Sequence, residues 1–192
     1  MRRGHRAYLR ALTIAQRCDA DGNEAGFADC LWLLEAAARL GHADAIHALG
    51  SWYANGRVLP QDEFKAMRRF RDAAARGSSD ALCDLAVGFE LGLGVQKNDA
   101  RARALYHEAA TRGSRSGMAA FARMTFYGLG GPIDLPLAAR WYRRAADRGD
   151  VESMSALAFL FENGMGVRAS RRRAESWARM AREFAHTEAP RD

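Results

Sequence analysis

The sequence lacks any apolar run approaching the roughly 20 residues that a helix needs to cross a bilayer, so we expect no membrane span. Residues 7–20 follow a basic start, but Arg10, Gln16 and Arg17 interrupt them, whereas a secretory signal needs an unbroken apolar segment. We therefore expect a cytoplasmic chain, while export by another route stays open. With 48% hydrophobic residues and only 4 prolines among 192, the composition is that of a folded globular protein.

Cysteine is also scarce. The three cysteines, Cys18, Cys30 and Cys83, show no spacing typical of a disulfide framework, and no Cys–His pair has metal-ligand spacing. The five histidines fall on separate predicted helices and turns, although a hydrolase needs its nucleophile, base and orienting group together. We expect no catalytic residue, no metal and no cofactor, so a hydrolase is the least favoured alternative. His47 and Cys83 form the one pair on adjacent predicted helices, and chance explains it better than a Cys–His dyad.

Lysine is nearly absent, since only Lys65 and Lys97 accompany the arginines, and the net charge is +6. A basic protein can favour nucleic acid or another anionic partner. Coding bias and solvated outer faces explain the same composition without any ligand, so the charge alone does not decide between them.

A repeat of 36 residues, without insertion or deletion, is the dominant pattern. Two glycine columns and two alanine columns recur at this step. The glycines are Gly41, Gly77, Gly113 and Gly149, with Gly56, Gly92, Gly128 and Gly164; the alanines are Ala37, Ala73, Ala109, Ala145 and Ala181, with Ala66, Ala102, Ala138 and Ala174. Cys30 falls in the Ala66 column, which predicts a buried thiol. A fixed period of this length indicates a solenoid.

Each period contains two helical patterns. Ala45, Leu49 and Tyr53 recur on one face of the first helix, which we call helix A. Residues with N-cap side chains open each second helix, helix B, and a glycine such as Gly77 ends it. The predicted caps are Asp62, Asn98, Asp134 and Ser170. The predicted helices A are 44–55, 80–91, 116–127 and 152–163, and the helices B are 63–76, 99–112, 135–148 and 171–186, preceded by helices over 6–19 and 27–40.

These helices predict an all-α fold, a right-handed α/α solenoid (superhelix) of about five helix–turn–helix repeats of 36 residues. We expect one domain over residues 1–186. Its repeats are an atypical one at 1–41, three at 42–77, 78–113 and 114–149, and a capping repeat at 150–186, followed by a frayed tail at 187–192. Ala185 replaces the closing glycine, which predicts a longer last helix. We expect the four tryptophans, Trp32, Trp52, Trp141 and Trp177, to be packing residues.

Several motifs resemble those of the Sel1-like repeat family, which is related to the tetratricopeptide repeat. Ala45-x3-Leu49-Gly50-x2-Tyr53-x2-Gly56 resembles its helix A, and Gly92-Leu93-Gly94-Val95 and Gly164-Met165-Gly166-Val167 resemble its loop. Trp141-Tyr142-Arg143-Arg144-Ala145-Ala146 resembles its helix B. The likeness covers Gly41 to about Ala181, with departures at Val58, Thr125 and Gly131-Pro132. This resemblance implies an adaptor or scaffold that holds a protein or peptide on a concave face. Some bacterial members of the family resemble inhibitors of secreted toxins, and others act in envelope signalling or host contact.

If helix A lines the concave side, its outward positions form the predicted partner-binding face, which we call the helix A face. Its residues are His47, Ser51, Asn55, Glu90, Arg123, Phe126, Tyr127, Phe159 and Glu162. The outward columns, which also include Asp44, Cys83, Asp80 and Glu152, carry five carboxylates against one arginine, with apolar side chains toward one end. This pattern favours a partner that bears basic groups beside an apolar anchor. Asp44, Asp80 and Glu152 also occupy first helical turns, where carboxylates stabilise the helix dipole without any partner.

The arginines concentrate on helix B, the predicted convex side, where acidic residues such as Asp72 and Glu108 alternate with them. Nucleic-acid binding through these arginines is the alternative function, but it would favour an unbroken basic stripe with stacking aromatics. The short run Arg171–Arg173 opens a helix, and a solvated face accounts for it better. Association of two copies through an end repeat stays open.

Overall fold

Helices make up the regular structure of the computed structural model, which describes residues 2–21 and 26–188. These residues form ten helices and no strand. The helices are α1 (Arg2–Asp21), α2 (Gly26–Arg39), α3 (Ala43–Asn55), α4 (Glu63–Ala75), α5 (Ser79–Leu91), α6 (Asp99–Thr111), α7 (Arg115–Tyr127), α8 (Leu135–Ala146), α9 (Val151–Asn163) and α10 (Arg171–Glu188). The predicted all-α fold with two helices per 36 residues is confirmed.

The chain divides into two compact units. Unit 1 ends at Lys97 and holds α1 to α5; unit 2 begins at Asn98 and holds α6 to α10. Within each unit, every helix packs against the helices that precede and follow it in the chain. This nearest-neighbour packing is the arrangement expected of helical repeats. The single solenoid domain over 1–186 stays a prediction.

The side-chain caps explain where the helices begin. The carboxylate of Asp62 accepts a hydrogen bond from the Lys65 amide at 2.9 Å, and the same bond forms at Asn98, Asp134 and Ser170, which confirms the four predicted caps. This bond lowers the pKa of the Asp62 carboxyl, because it favours the charged form. Helices A are capped in the same way by Ser78, Ser114 and Asp150, three residues that the sequence analysis missed.

Two turns per repeat depend on glycine in different ways. Gly77 ends α4 at φ +98°, in the left-handed region, yet a Cβ placed there would meet no atom within 4 Å. Gly94, in the loop after α5, also has a positive φ, but its Cβ would lie 2.5 Å from the backbone carbonyl of Glu63. The first turn therefore needs glycine for its backbone angle alone, and the second also needs it for the close approach of α4.

Small side chains bring the helices together in the core. Ala37, Ala73, Ala109 and Ala145 share one column and are completely buried. A Cβ on Gly117 would lie 2.7 Å from that of Ala109, so α6 and α7 almost touch at this point. Cys30 is buried and donates its thiol proton to the Ala11 carbonyl at 3.2 Å; burial raises its pKa to about 11. The prediction of a core thiol at Cys30 is confirmed.

The side chain of Trp32 differs from its sequence prediction. Trp32 is 63% exposed and is not a packing residue, because its column, shared with Arg68, Ala104 and Arg140, faces solvent. The predicted tail at 187–192 falls mostly outside the described residues, and α10 continues past Ala185, as the missing glycine predicts. No described helix is long and apolar enough to span a bilayer.

Candidate functional site

A groove of about 610 Å³ runs between α3 and α5, with α4 as its floor. We call it the α3–α5 groove. Two residues of the predicted helix A face, Ser51 and Asn55, line it, together with Val87 from the same set of outward columns. Met67 and Phe70 of α4 supply an apolar floor. The structure of unit 1 thus brings outward residues of two successive helices A to one concave site, as a repeat fold implies.

His47 bridges the two walls of this groove. Its Nε2 lies 2.7 Å from Oδ2 of Asp84, and its ring packs on Phe70 with the centroids 5.6 Å apart. The hydroxyl of Ser51 donates to the His47 carbonyl at 3.3 Å, which joins both predicted residues to one network. The hydrogen-bond partner of His47 across the helices is therefore Asp84, the residue that follows Cys83 of the predicted pair. Cys83 is buried in α5, so its side chain does not belong to the outward columns.

The groove carries acidic groups, but they differ from those that the sequence analysis proposed. Asp84 lies in its wall and Glu63 at its rim, where Glu63 Oε2 accepts a hydrogen bond from the Gly94 amide at 3.0 Å. Glu90 is half-buried on α5 and interacts with a neighbouring group. Asp84 was missed because the 36-residue columns identify equivalent positions and do not show which side chain of the next helix meets them.

In unit 2, α7 and α9 carry the other predicted residues. Tyr127 is 62% exposed and stacks edge-on against the half-buried Phe126, with ring centroids 4.9 Å apart. Phe159 is 50% exposed on α9, and Glu162 is exposed one turn later. Arg123 is half-buried and interacts with a neighbouring group. Large aromatic side chains are therefore exposed on both helices A of this unit.

Tyr142 of α8 lies near Tyr127 and Arg123, whose charges act on its hydroxyl. It is buried, and burial raises the pKa of its hydroxyl to about 12, with the nearby Tyr127 adding to the shift and Arg123 opposing it. The hydroxyl is therefore protonated at neutral pH.

His5, His42 and His107 pack against other rings. No cluster of three or more histidine, cysteine, aspartate or glutamate side chains in those residues could hold a metal ion. His5 Nδ1 lies 3.2 Å from His42 Nε2, and Tyr8 stacks on His42, at the junction of α1 with α3. Burial lowers the pKa of His42. His107 packs against Phe121 and Trp141, as part of an aromatic cluster.

The repeats match a known family over most of the chain. The sequence profile of the Sel1 repeat matches residues 28–42, 43–78, 79–114, 116–150 and 151–183. The chain belongs to the Sel1 repeat family. This confirms the resemblance drawn from the loop glycines and the Trp141-Tyr142 block, and its helical-repeat fold is that of a protein-interaction module.

Solved structures of Sel1 repeat proteins are similar to this chain. The protective antigen c5321 of uropathogenic Escherichia coli matches with a TM-score of 0.79 and 25% identity, over 90% of this chain and 40% of its own. A Sel1 repeat protein of Oxalobacter formigenes matches with a TM-score of 0.77 and 29% identity, over 81% of this chain and 64% of its own. This Sel1 repeat chain therefore spans less than two thirds of the length of either protein.

The immunity protein Pa5087 of Pseudomonas aeruginosa shares the fold, with a TM-score of 0.53 and 17% identity over 81% of this chain and 57% of its own. At that identity the likeness concerns the fold alone. A comparison with curated proteins found no match.

Proposed function

We propose that this Sel1 repeat protein is a non-enzymatic adaptor or scaffold that holds a protein or peptide partner on its helix A face. The observation that carries the proposal is the exposure of large apolar side chains on helices A. Leu91 is 62% exposed at the end of α5, and Tyr127 occupies the same column at the end of α7. Phe159 of α9 adds a third. Exposed aromatics that are held rigidly are the residue type on which interfaces depend most.

The chemistry of the partner follows from the groups around these anchors. In unit 2, Glu162 is exposed three residues after Phe159. In unit 1, Asp84 and Glu63 line the α3–α5 groove. We expect a partner segment with an apolar side chain for the aromatics and arginine or lysine for the carboxylates. The carboxylate of Asp84 already accepts from His47, which leaves its second oxygen for a donor from the partner.

Site-specific photo-crosslinking in the source organism tests the surface directly. A benzoylphenylalanine replaces Tyr127 in one variant and Phe64 in a matched control, because Phe64 is an aromatic that is 77% exposed on a helix B. We expect a discrete crosslinked product from position 127 and none from position 64. Crosslinks that appear at position 64 and not at 127 would move the binding surface to helix B and refute the proposal.

The biological role of the captured partner is part of the same proposal. We expect an adaptor or scaffold role in the cytoplasm; the more specific role is neutralisation of a cognate toxin. Co-expression of this chain with its partner distinguishes the two roles. If the partner arrests growth when expressed alone and this chain restores growth, the neutralising role is supported, and restoration must be lost on Tyr127→Ala.

Sedimentation of the purified chain tests association of two copies through an end repeat.

A further inference from the structure

A second surface with the opposite charge lies on the helix B side of unit 2. It is a groove of about 490 Å³ between α8 and the beginning of α10, and we call it the basic groove. Arg140 and Arg143 come from α8, Arg168 from the loop after α9, and Arg173 from the first turn of α10. None of its lining residues belongs to the helix A face, so it does not depend on the function proposed above.

The four arginines have no anionic neighbour. All four are exposed, no carboxylate lines the groove, and within residues 2–21 and 26–188 no carboxylate lies within 4.0 Å of any of them. Other arginines of the chain are paired: Arg112 with Glu108 at 2.6 Å and Arg171 with Glu175 at 2.8 Å. Four cations gathered around one groove repel one another unless an anion enters.

The repeat scaffold does not require arginine at these positions. One period earlier, the same four positions hold Ala104, His107, Pro132 and Leu137, and the fold accommodates them; two periods earlier they hold Arg68, Arg71, Gln96 and Arg101. The cluster arises only where three separate segments each contribute arginine. The complete set of four arginines therefore occurs at these positions of unit 2 without being imposed by the repeat.

The floor of the groove identifies the class of ligand. Leu157 and Phe161 of α9 form it, and the Arg173 guanidinium lies 5.4 Å from the centroid of the Phe161 ring. Because this ring is buried and covered by Arg173, the groove offers no exposed aromatic on which a nucleic-acid base could stack. Guanidinium groups bind carboxylates through paired hydrogen bonds. We propose that the basic groove binds an acidic peptide segment through the aspartate or glutamate side chains of that segment.

Fluorescence anisotropy with a synthetic probe tests this inference. The probe is a labelled dodecapeptide of alternating Glu and Ser with one central Leu, titrated with the full chain over a range of NaCl concentrations. The test variant is Arg140→Ser with Arg168→Ser. The control is Arg179→Ser with Arg182→Ser, which removes the same charge from exposed positions of α10 outside the groove. A second probe, single-stranded DNA of the same length, represents the alternative ligand.

We expect the acidic peptide to bind the wild-type chain, the groove variant to bind about tenfold more weakly or worse, and the control variant to stay within about twofold. The dependence of log Kd on log salt should also flatten in the groove variant only. Equal weakening in both double variants would show nonspecific attraction to net charge and overturn the inference. Tighter binding of the DNA, with the same loss in the groove variant, would overturn it in favour of nucleic acid.

Discussion

Replacing Gly94 by alanine probes the closest helix–loop approach in unit 1. Gly94 has a φ of +61°, and a Cβ on it would lie 2.5 Å from both the carbonyl carbon and the oxygen of Glu63, and 2.9 Å from the Phe64 amide nitrogen. These contacts are with backbone atoms, so no side-chain rotation relieves them. Gly77 supplies a matched control, since its φ of +98° is also positive but its Cβ would meet nothing within 4 Å.

The two substitutions should lower the free energy of unfolding by different amounts, because only the Cβ at position 94 clashes with neighbouring atoms. Alanine in a left-handed conformation costs roughly 1–2 kcal/mol, and this is the whole effect for Gly77→Ala. Gly94→Ala adds the cost of forcing atoms into a packed site, about 1–3 kcal/mol. We therefore expect Gly94→Ala to lower the free energy of unfolding by about 2–5 kcal/mol, against roughly 1–2 kcal/mol for Gly77→Ala.

Urea denaturation followed by far-UV circular dichroism measures both losses. In unit 2, Gly166→Ala and Gly113→Ala repeat the comparison, because a Cβ on Gly166 would lie 2.3 Å from the carbonyl carbon of Leu135 and one on Gly113 would meet nothing. Equal losses within each pair would refute the reasoning, since they would show that the loop yields without cost.

Three further predictions concern buried or bridging polar groups. Ser153 is completely buried and its hydroxyl has no hydrogen-bond partner in the described part of the chain, so Ser153→Ala should raise the free energy of unfolding by about 1 kcal/mol, measured by urea denaturation; destabilisation would contradict this. Because burial lowers the pKa of His42, the unfolded chain takes up its proton first as pH falls, and stability should decline below about pH 6.5. The urea midpoint of wild type should drop between pH 7.5 and 5.5 by more than that of His42→Gln, and identical drops would exclude His42 as the cause. The bond between His47 and Asp84 should give a coupling of about 0.5–1.5 kcal/mol in a double-mutant cycle of the two alanine variants, whereas additive losses would show that it contributes nothing.

The helix boundaries were predictable because the signals that set them are local. Asp62 and its equivalents bond to amides three residues later, and Gly77 and its equivalents hold backbone angles that other residues avoid. The caps of helices A carried the same signal in Ser78, Ser114 and Asp150, which are N-cap residue types in one column. The first member of that column is His42, which makes no cap bond, and it hides the pattern in the first full repeat.

Val58 shows how an unusual residue in the sequence is accommodated. It stands in the column of Gly94, Gly130 and Gly166, each of which would place a Cβ against the backbone of the preceding helix B. At Val58 the loop is held differently: Arg57 bonds to Asp19 at 2.5 Å, and its guanidinium lies 5.4 Å from the ring centroid of Phe27. The departure from the family pattern marks a local difference in packing within the same fold.

Contacts between helices were less predictable from the repeat. The period assigned His47 and Cys83 to one column, and it did not predict the hydrogen bond from His47 to Asp84, because side chains of adjacent helices interdigitate between equivalent positions. The basic groove was missed for a related reason. Its arginines come from α8, a loop and α10, and the run Arg171–Arg173, which contains one of them, does not show that Arg173 lies near Arg140 and Arg168.

The central claim is that exposed side chains of helices A hold a protein partner, and the dissociation constant of the purified partner tests it most directly. Isothermal titration with wild type is compared with Tyr127→Ala/Phe159→Ala and with the helix B control Phe64→Ala. Truncating a hot-spot aromatic costs about 2 kcal/mol or more, so we predict that the double variant binds at least roughly 30-fold more weakly while Phe64→Ala stays within about twofold. A double variant that keeps its helicity and binds as tightly as wild type would contradict the claim.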